Sequence, residues 1–179
     1  EAAVRETEAD LLTGGPARPT DPDPGRAMQE SMGLIREREG FRETAYWDVN
    51  AWRTGFGSDT ITHADGRIEK VTRHSRVTRE DALRDLERRT VEFQDTVIRE
   101  IGADRWASLN PNQKAVLTSL AYNYGSLEAT GALRAFRSGD AQEVANAILG
   151  LRRHNQGVNA ARRTHEAQIY AGMQGIDAP

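Results

Sequence analysis

The sequence contains no cysteine, which excludes a disulfide framework and thiol catalysis. Its four histidines stand apart without ligand spacing, so no metal and no cofactor is expected. Aromatic residues are sparse, and no apolar run approaches the roughly 20 residues that cross a bilayer. Membrane insertion is therefore not expected. A large excess of one charge is missing too. With 24 Lys and Arg against 27 Asp and Glu, the net charge of −3 gives no reason to expect nucleic acid as a partner. Binding to an acidic polymer would need a local basic patch. There is no leader-type segment and no initiating methionine, so the expectation is a monomeric domain of a longer or processed polypeptide.

What is present divides in two. Residues 1–26 read as a tail and linker, and residues 27–179 as one globular domain. Glu1 to Leu12 suits a short helix. The stretch from Gly14 to Gly25 carries Pro16, Pro19, Pro22 and Pro24, whose missing amide hydrogens argue for a semi-extended linker.

The domain is organised around Glu39 to Gly57. Met28, Met32, Leu34 and Ile35 recur at helical spacing, and the helix they mark ends at Glu39, with Gly40 where a left-handed C′ residue belongs. A carboxylate at a helix tail feels the negative end of the dipole, and Phe41, Tyr46 and Trp47 follow as apolar neighbours. Asp48 comes nine residues after Glu39, on a turn or strand with polar neighbours. Two carboxyl groups in unlike surroundings are what acid catalysis of glycoside cleavage requires. Asp59 is a rival for the second position. Strands are expected over roughly 51–56, 60–63 and 67–71, with Asp65-Gly66 as a primed-type hairpin turn.

Thr78 is a good N-cap for a helix with Glu80 and Asp81 in its first turn. Its apolar side runs from Leu83 to Ile101, and Arg84, Asp85, Glu87, Arg88 and Arg89 read as a solvated face. Asn110-Pro111 opens a helix that stops at Gly125 and is apolar on most sides, hence central. Asn123 is its polar exception, read either as a core hydrogen-bonding residue or as a sugar contact. Short helices are expected over 130–136 and 141–149. Arg152, Arg153, Arg162 and Arg163 form the basic concentration of the C-terminal part.

The spacing Glu39-Gly40, Tyr46-x-Asp48 and Gly55-x-Gly57 resembles the N-terminal signature of phage-type lysozymes, glycoside hydrolase family 24. Asn112 to Gly125 matches that family's central helix without a gap. Arg162-Arg163 with Glu166 and Tyr170 resembles its closing helix. One residue is missing before the glycines, so either Thr54 or Arg53 fills the family's Thr position. The resemblance implies an α+β, mainly helical, two-lobed fold with a small antiparallel sheet lobe and a larger helical lobe. It implies muramidase activity on bacterial peptidoglycan, outside the cytoplasm, in a phage-associated or released protein. Glu39, Asp48 and Thr54 would be catalytic. Tyr46, Asn123 and Arg162 would be substrate contacts, and Arg162 is also suited to touching Glu39. A lytic transglycosylase, which needs no second carboxylate, and an inactive wall-binding or virion structural module are the alternatives.

Overall fold

A computed structural model describes residues 24–172. The expected tail helix, the linker up to residue 23 and the last seven residues lie outside the described residues. Helix α1 spans Pro24–Glu39, so residues 24–26, expected in the linker, belong to the helix. Pro24 is tolerated there because the first turn of a helix leaves its amides unbonded in any case. Ala27, Ser31, Leu34 and Ile35 form its buried face. The helix ends as expected, with Gly40 at φ 64° and its N–H donating to the Arg36 carbonyl at 3.1 Å.

Two short antiparallel hairpins follow. Strand β1 (Arg42–Asp48) pairs with β2 (Ala51–Gly55), and β3 (Thr60–Thr62) pairs with β4 (Ile68–Lys70). A Thr54–Ser58 bridge closes the turn that follows β2 on the way to β3. β1 extends the expected sheet towards Gly40. Its outward residues, Arg42 to Thr44, are exposed and lack the alternation that marks a half-buried strand. The β3–β4 turn differs from the primed type. Only Gly66 has positive φ, at 82°, and its N–H closes on the His63 carbonyl at 2.9 Å. That is the three-residue loop with a left-handed glycine at its end.

Helix α2 (Arg79–Ile101) is capped by the Thr78 hydroxyl, which accepts from the Asp81 amide. The short α3 (Ala103–Ser108) was not legible as a helix; it buries Trp106. α4 (Pro111–Tyr124) opens with a reciprocal capping box between Asn110 and Gln113. α5 (Leu133–Ser138) and α6 (Ala141–Gly150) come next, then a 3₁₀ segment over 151–157 broken at His154–Gln156, then α7 (Ala160–Tyr170).

Two cores divide the molecule. The larger lies among the helices around Val97, Leu117, Phe136 and Ile148; the smaller joins Phe56, Ile61, Val71, Val77 and Leu86 under the hairpins. α1 gives Leu34 to the first and Ile35 to the second. α2 gives Leu86 to the second and Val97 to the first. These two helices tie the lobes, and Glu39 is the last residue of one of them.

The charges of α2 are not all solvated. Asp85 is buried; it accepts from Thr60 Oγ1 at 2.9 Å, Thr62 Oγ1 at 2.8 Å and Arg88 Nη2 at 3.1 Å. A buried carboxylate is tolerable when its acceptors are filled, and here that network fastens β3 to α2. Helical spacing alone cannot tell such a residue from a surface acid, because its partners lie on another element.

Candidate active site

Glu39 projects from the end of α1 into the junction of the lobes. Its Oε1 accepts from Arg162 Nη1 at 2.9 Å. Its Oε2 rests on Gly57, where an added Cβ would lie only 2.9 Å away, so any side chain there would displace the carboxylate. Gly57, at φ 76°, is thus required twice over, for its left-handed backbone and for its bareness.

Arg162 is positioned from below. Its Nη2 donates to Ser119 Oγ at 3.1 Å, and its Nε to Glu166 Oε1 at 3.3 Å. Ser119 donates to the same Glu166 oxygen at 3.0 Å. The second oxygen of Glu166 takes Arg163 Nη1, and Arg163 Nη2 donates to Asn123 Oδ1 at 2.6 Å. Glu166 and Arg163 are wholly buried. Burial pulls the Arg163 guanidinium below the usual arginine range, and Glu166 pulls it back. The four arginines of the C-terminal basic group therefore part company. Arg152 and Arg153 are exposed, while Arg162 and Arg163 form the floor of the site.

The β1–β2 hairpin supplies the other wall. Tyr46 faces Arg53 across it, and Asp48 faces Ala51. Burial raises the Tyr46 phenol above its ordinary value; Glu39 and Asp48 push the same way, while Arg42 and Arg53 oppose them. Tyr46 thus lies within electrostatic reach of Glu39 as well as of its own hairpin. Asp48 is half exposed, with Oδ2 3.0 Å from Arg53 Nε.

Thr54 is elsewhere. Its side chain points away from the Tyr46–Arg53 face and is buried among Ala82, Asp85 and Tyr122, in a space that admits no water molecule. Its hydroxyl has no hydrogen-bond partner. Of the two residues that the missing position left open, Arg53 is the one on the Asp48 face. Asp59 is tied to Arg89 of α2 at 2.8 Å. Trp47 is 58% exposed and stands edge-on to Trp52. Asn123 holds Arg163 and is otherwise exposed. Glu39, Tyr46, Asp48, Arg53 and Arg162 are the residues the fold assembles. Glu166 stands in the closing-helix pattern, but its role in holding Arg162, and that of Ser119, is not legible in the sequence; the spacing of Glu166 from Arg162 and Arg163 is the available signal. Among the described residues no cluster of three or more carboxylates and histidines is suited to a metal, and no helix is long and apolar enough to cross a membrane.

A two-lobed α+β fold with an acid at the lobe junction and a second carboxylate on the adjoining hairpin defines a lysozyme-like protein. Residues 36–166 match the phage lysozyme family, and the chain belongs to it. Solved structures of the same fold include a P22 lysozyme mutant, at 21% identity and TM-score 0.62, covering 78% of this chain and 94% of that one. The muramidase domain of SpmX from Asticaccaulis excentricus is similar at 24% identity and TM-score 0.60, with 78% and 93% covered. An endolysin from Escherichia coli O157:H7 phage FAHEc1 gives 22% identity and TM-score 0.61, with 79% and 90% covered. No curated protein matches the chain.

Proposed function

We propose that this chain is a muramidase that hydrolyses the β-1,4 bond between N-acetylmuramic acid and N-acetylglucosamine in bacterial peptidoglycan. Family membership supports the reaction class, and two of the similar structures are lysozyme or muramidase by name. The observation that carries the reading is the setting of Glu39 at the lobe junction, with one oxygen on Arg162 and the other on Gly57. Glu39 protonates the departing glycosidic oxygen, and Arg162 receives the carboxylate that the transfer leaves behind. Asp48 stabilises positive charge on the sugar and accepts from the attacking water. Tyr46 and the open wall of the hairpin contact the sugar. The substrate places the site of action outside the cytoplasm, whether the domain is carried by a virion, an endolysin or a bacterial wall enzyme.

Glu39→Gln keeps the shape and removes the proton. Lysis of purified peptidoglycan should fall by on the order of 10² to 10⁴ with an unchanged melting curve. Wild-type turnover in that mutant would end the assignment. Digestion in heavy-oxygen water checks the second step: hydrolysis puts label at the new reducing end. The contact of Arg53 with Asp48 favours one rival, a transglycosylase in which the muramic acid hydroxyl attacks internally. Unlabelled anhydro products would establish it.

A further inference from the structure

Between Asp48 and Gly55 the chain is one residue shorter than the pattern it resembles. The turn takes up the loss at Val49, whose φ of 51° is a conformation that β-branched residues rarely adopt. The Asn50 N–H closes onto the Asp48 carbonyl at 2.5 Å. In the register that results, Arg53 lies opposite Tyr46, and the period of a strand puts Thr54 on the reverse side. The Arg53 guanidinium then spans a particular gap. Its Nε lies 3.0 Å from Asp48 Oδ2, and its Nη1 donates to the Gly57 carbonyl at 3.2 Å. Gly57 is the residue on which Glu39 rests. A cation therefore stands between the surroundings of the two carboxylates. The Nε–H has no aligned acceptor, so this is a charge contact held by the hairpin and Gly57, not a paired fork with the carboxylate.

We propose that Arg53 is a positioning residue that restrains turnover by occupying Asp48. The inference rests on the muramidase reading of the site. Glycoside cleavage develops positive charge on the sugar, and an anion beside it lowers the barrier only as far as its charge is uncompensated. A guanidinium in contact with Asp48 compensates that charge and has the same sign as the sugar in the transition state. It also takes up the acceptor face that an attacking water needs. Asp48 is half exposed and the Arg53 side chain one-quarter exposed, so substitution can release the restraint without opening the core.

The test compares kcat and KM on purified peptidoglycan for the whole chain and for Arg53→Thr, Arg53→Gln and Arg53→Lys, each also combined with Glu39→Gln as a zero. The expected result is a gain in kcat on the order of 10-fold to 100-fold for Thr and Gln, with KM little changed. Arg53→Lys keeps a cation near Asp48 and should gain much less. A residue that merely braced the hairpin would lower kcat or the melting temperature on removal, in Lys as well as in Gln. Turnover of Thr and Gln variants at or below the wild-type rate overturns the proposal. The muramidase reading is judged separately, by whether any turnover disappears with Glu39→Gln. Glu39-dependent turnover with no gain at position 53 sinks the Arg53 assignment alone. Turnover in no variant sinks both.

Discussion

Thr54 shows what one missing residue does at the scale of a side chain. Sequence spacing from Asp48 points to it, yet a slip of one position in a strand moves every side chain to the opposite face. Its hydroxyl ends up buried without a partner and with no room for water. An unsatisfied buried hydroxyl is a cost that a methyl group of the same shape does not carry. Thr54→Val should therefore leave wall lysis intact and raise stability by roughly 0.5–1.5 kcal/mol, read from the midpoint of urea unfolding. Loss of lysis in a stably folded Thr54→Val protein would return the Thr to the reaction. Glu39 is legible because its spacing to Gly40 and Asp48 runs without a gap, and Arg162 because the Arg-Arg-x-x-Glu run on its own helix is intact, although one extra residue precedes it. The face of Thr54 is not, because hairpin register is set by pairing, which no linear spacing records.

At the scale of elements, capping and stopping residues were the most readable features. Thr78, Asn110 and Gly40 act as their chemistry requires. β1 and α3 are not legible in the sequence because one is mostly exposed and the other buries chiefly a single tryptophan. The element that matters most to the site is α7. Between residues 162 and 166 it carries two adjacent arginines and the glutamate that bonds both, docked on Ser119 and Asn123 of α4. A buried charge left without its counter-charge is strongly destabilising. Glu166→Gln keeps the volume but strands Arg163, whose charge burial already disfavours. The expected cost is roughly 3–5 kcal/mol, measured by urea unfolding. Lysis should drop with it, because Arg162 loses the support that aims it at Glu39. A Glu166→Gln protein as stable as the wild type would show that the lattice on α7 is dispensable.

At the scale of the whole molecule, the lobes meet along α4, where Leu120 and Ala121 enter the larger core and Tyr122 the smaller. The Tyr122 hydroxyl donates to the Phe56 carbonyl at 2.8 Å and so pins the hairpin lobe to the central helix. Burial pushes this phenol far above the ordinary tyrosine value of 10.0, with Arg89 pulling partly back. The sign follows from proton counting. Above about pH 10 the unfolded chain gives up the phenolic proton while the folded one keeps it, so the unfolded state binds fewer protons and stability falls as pH rises. The contribution is complete below the unfolded value and is lost upward from it. Tyr124, Tyr170 and Tyr46 are raised by burial as well and add to the same slope. The melting temperature should thus hold steady towards about pH 9 and drop steeply beyond about pH 10, with tyrosinate absorbance appearing as the protein unfolds. Tyr122→Phe loses the bond to Phe56, about 1 kcal/mol at neutral pH. It should also flatten the alkaline fall, since one proton no longer differs between the two states. An alkaline slope identical in wild type and Tyr122→Phe would show that the lobes are not held through this phenol.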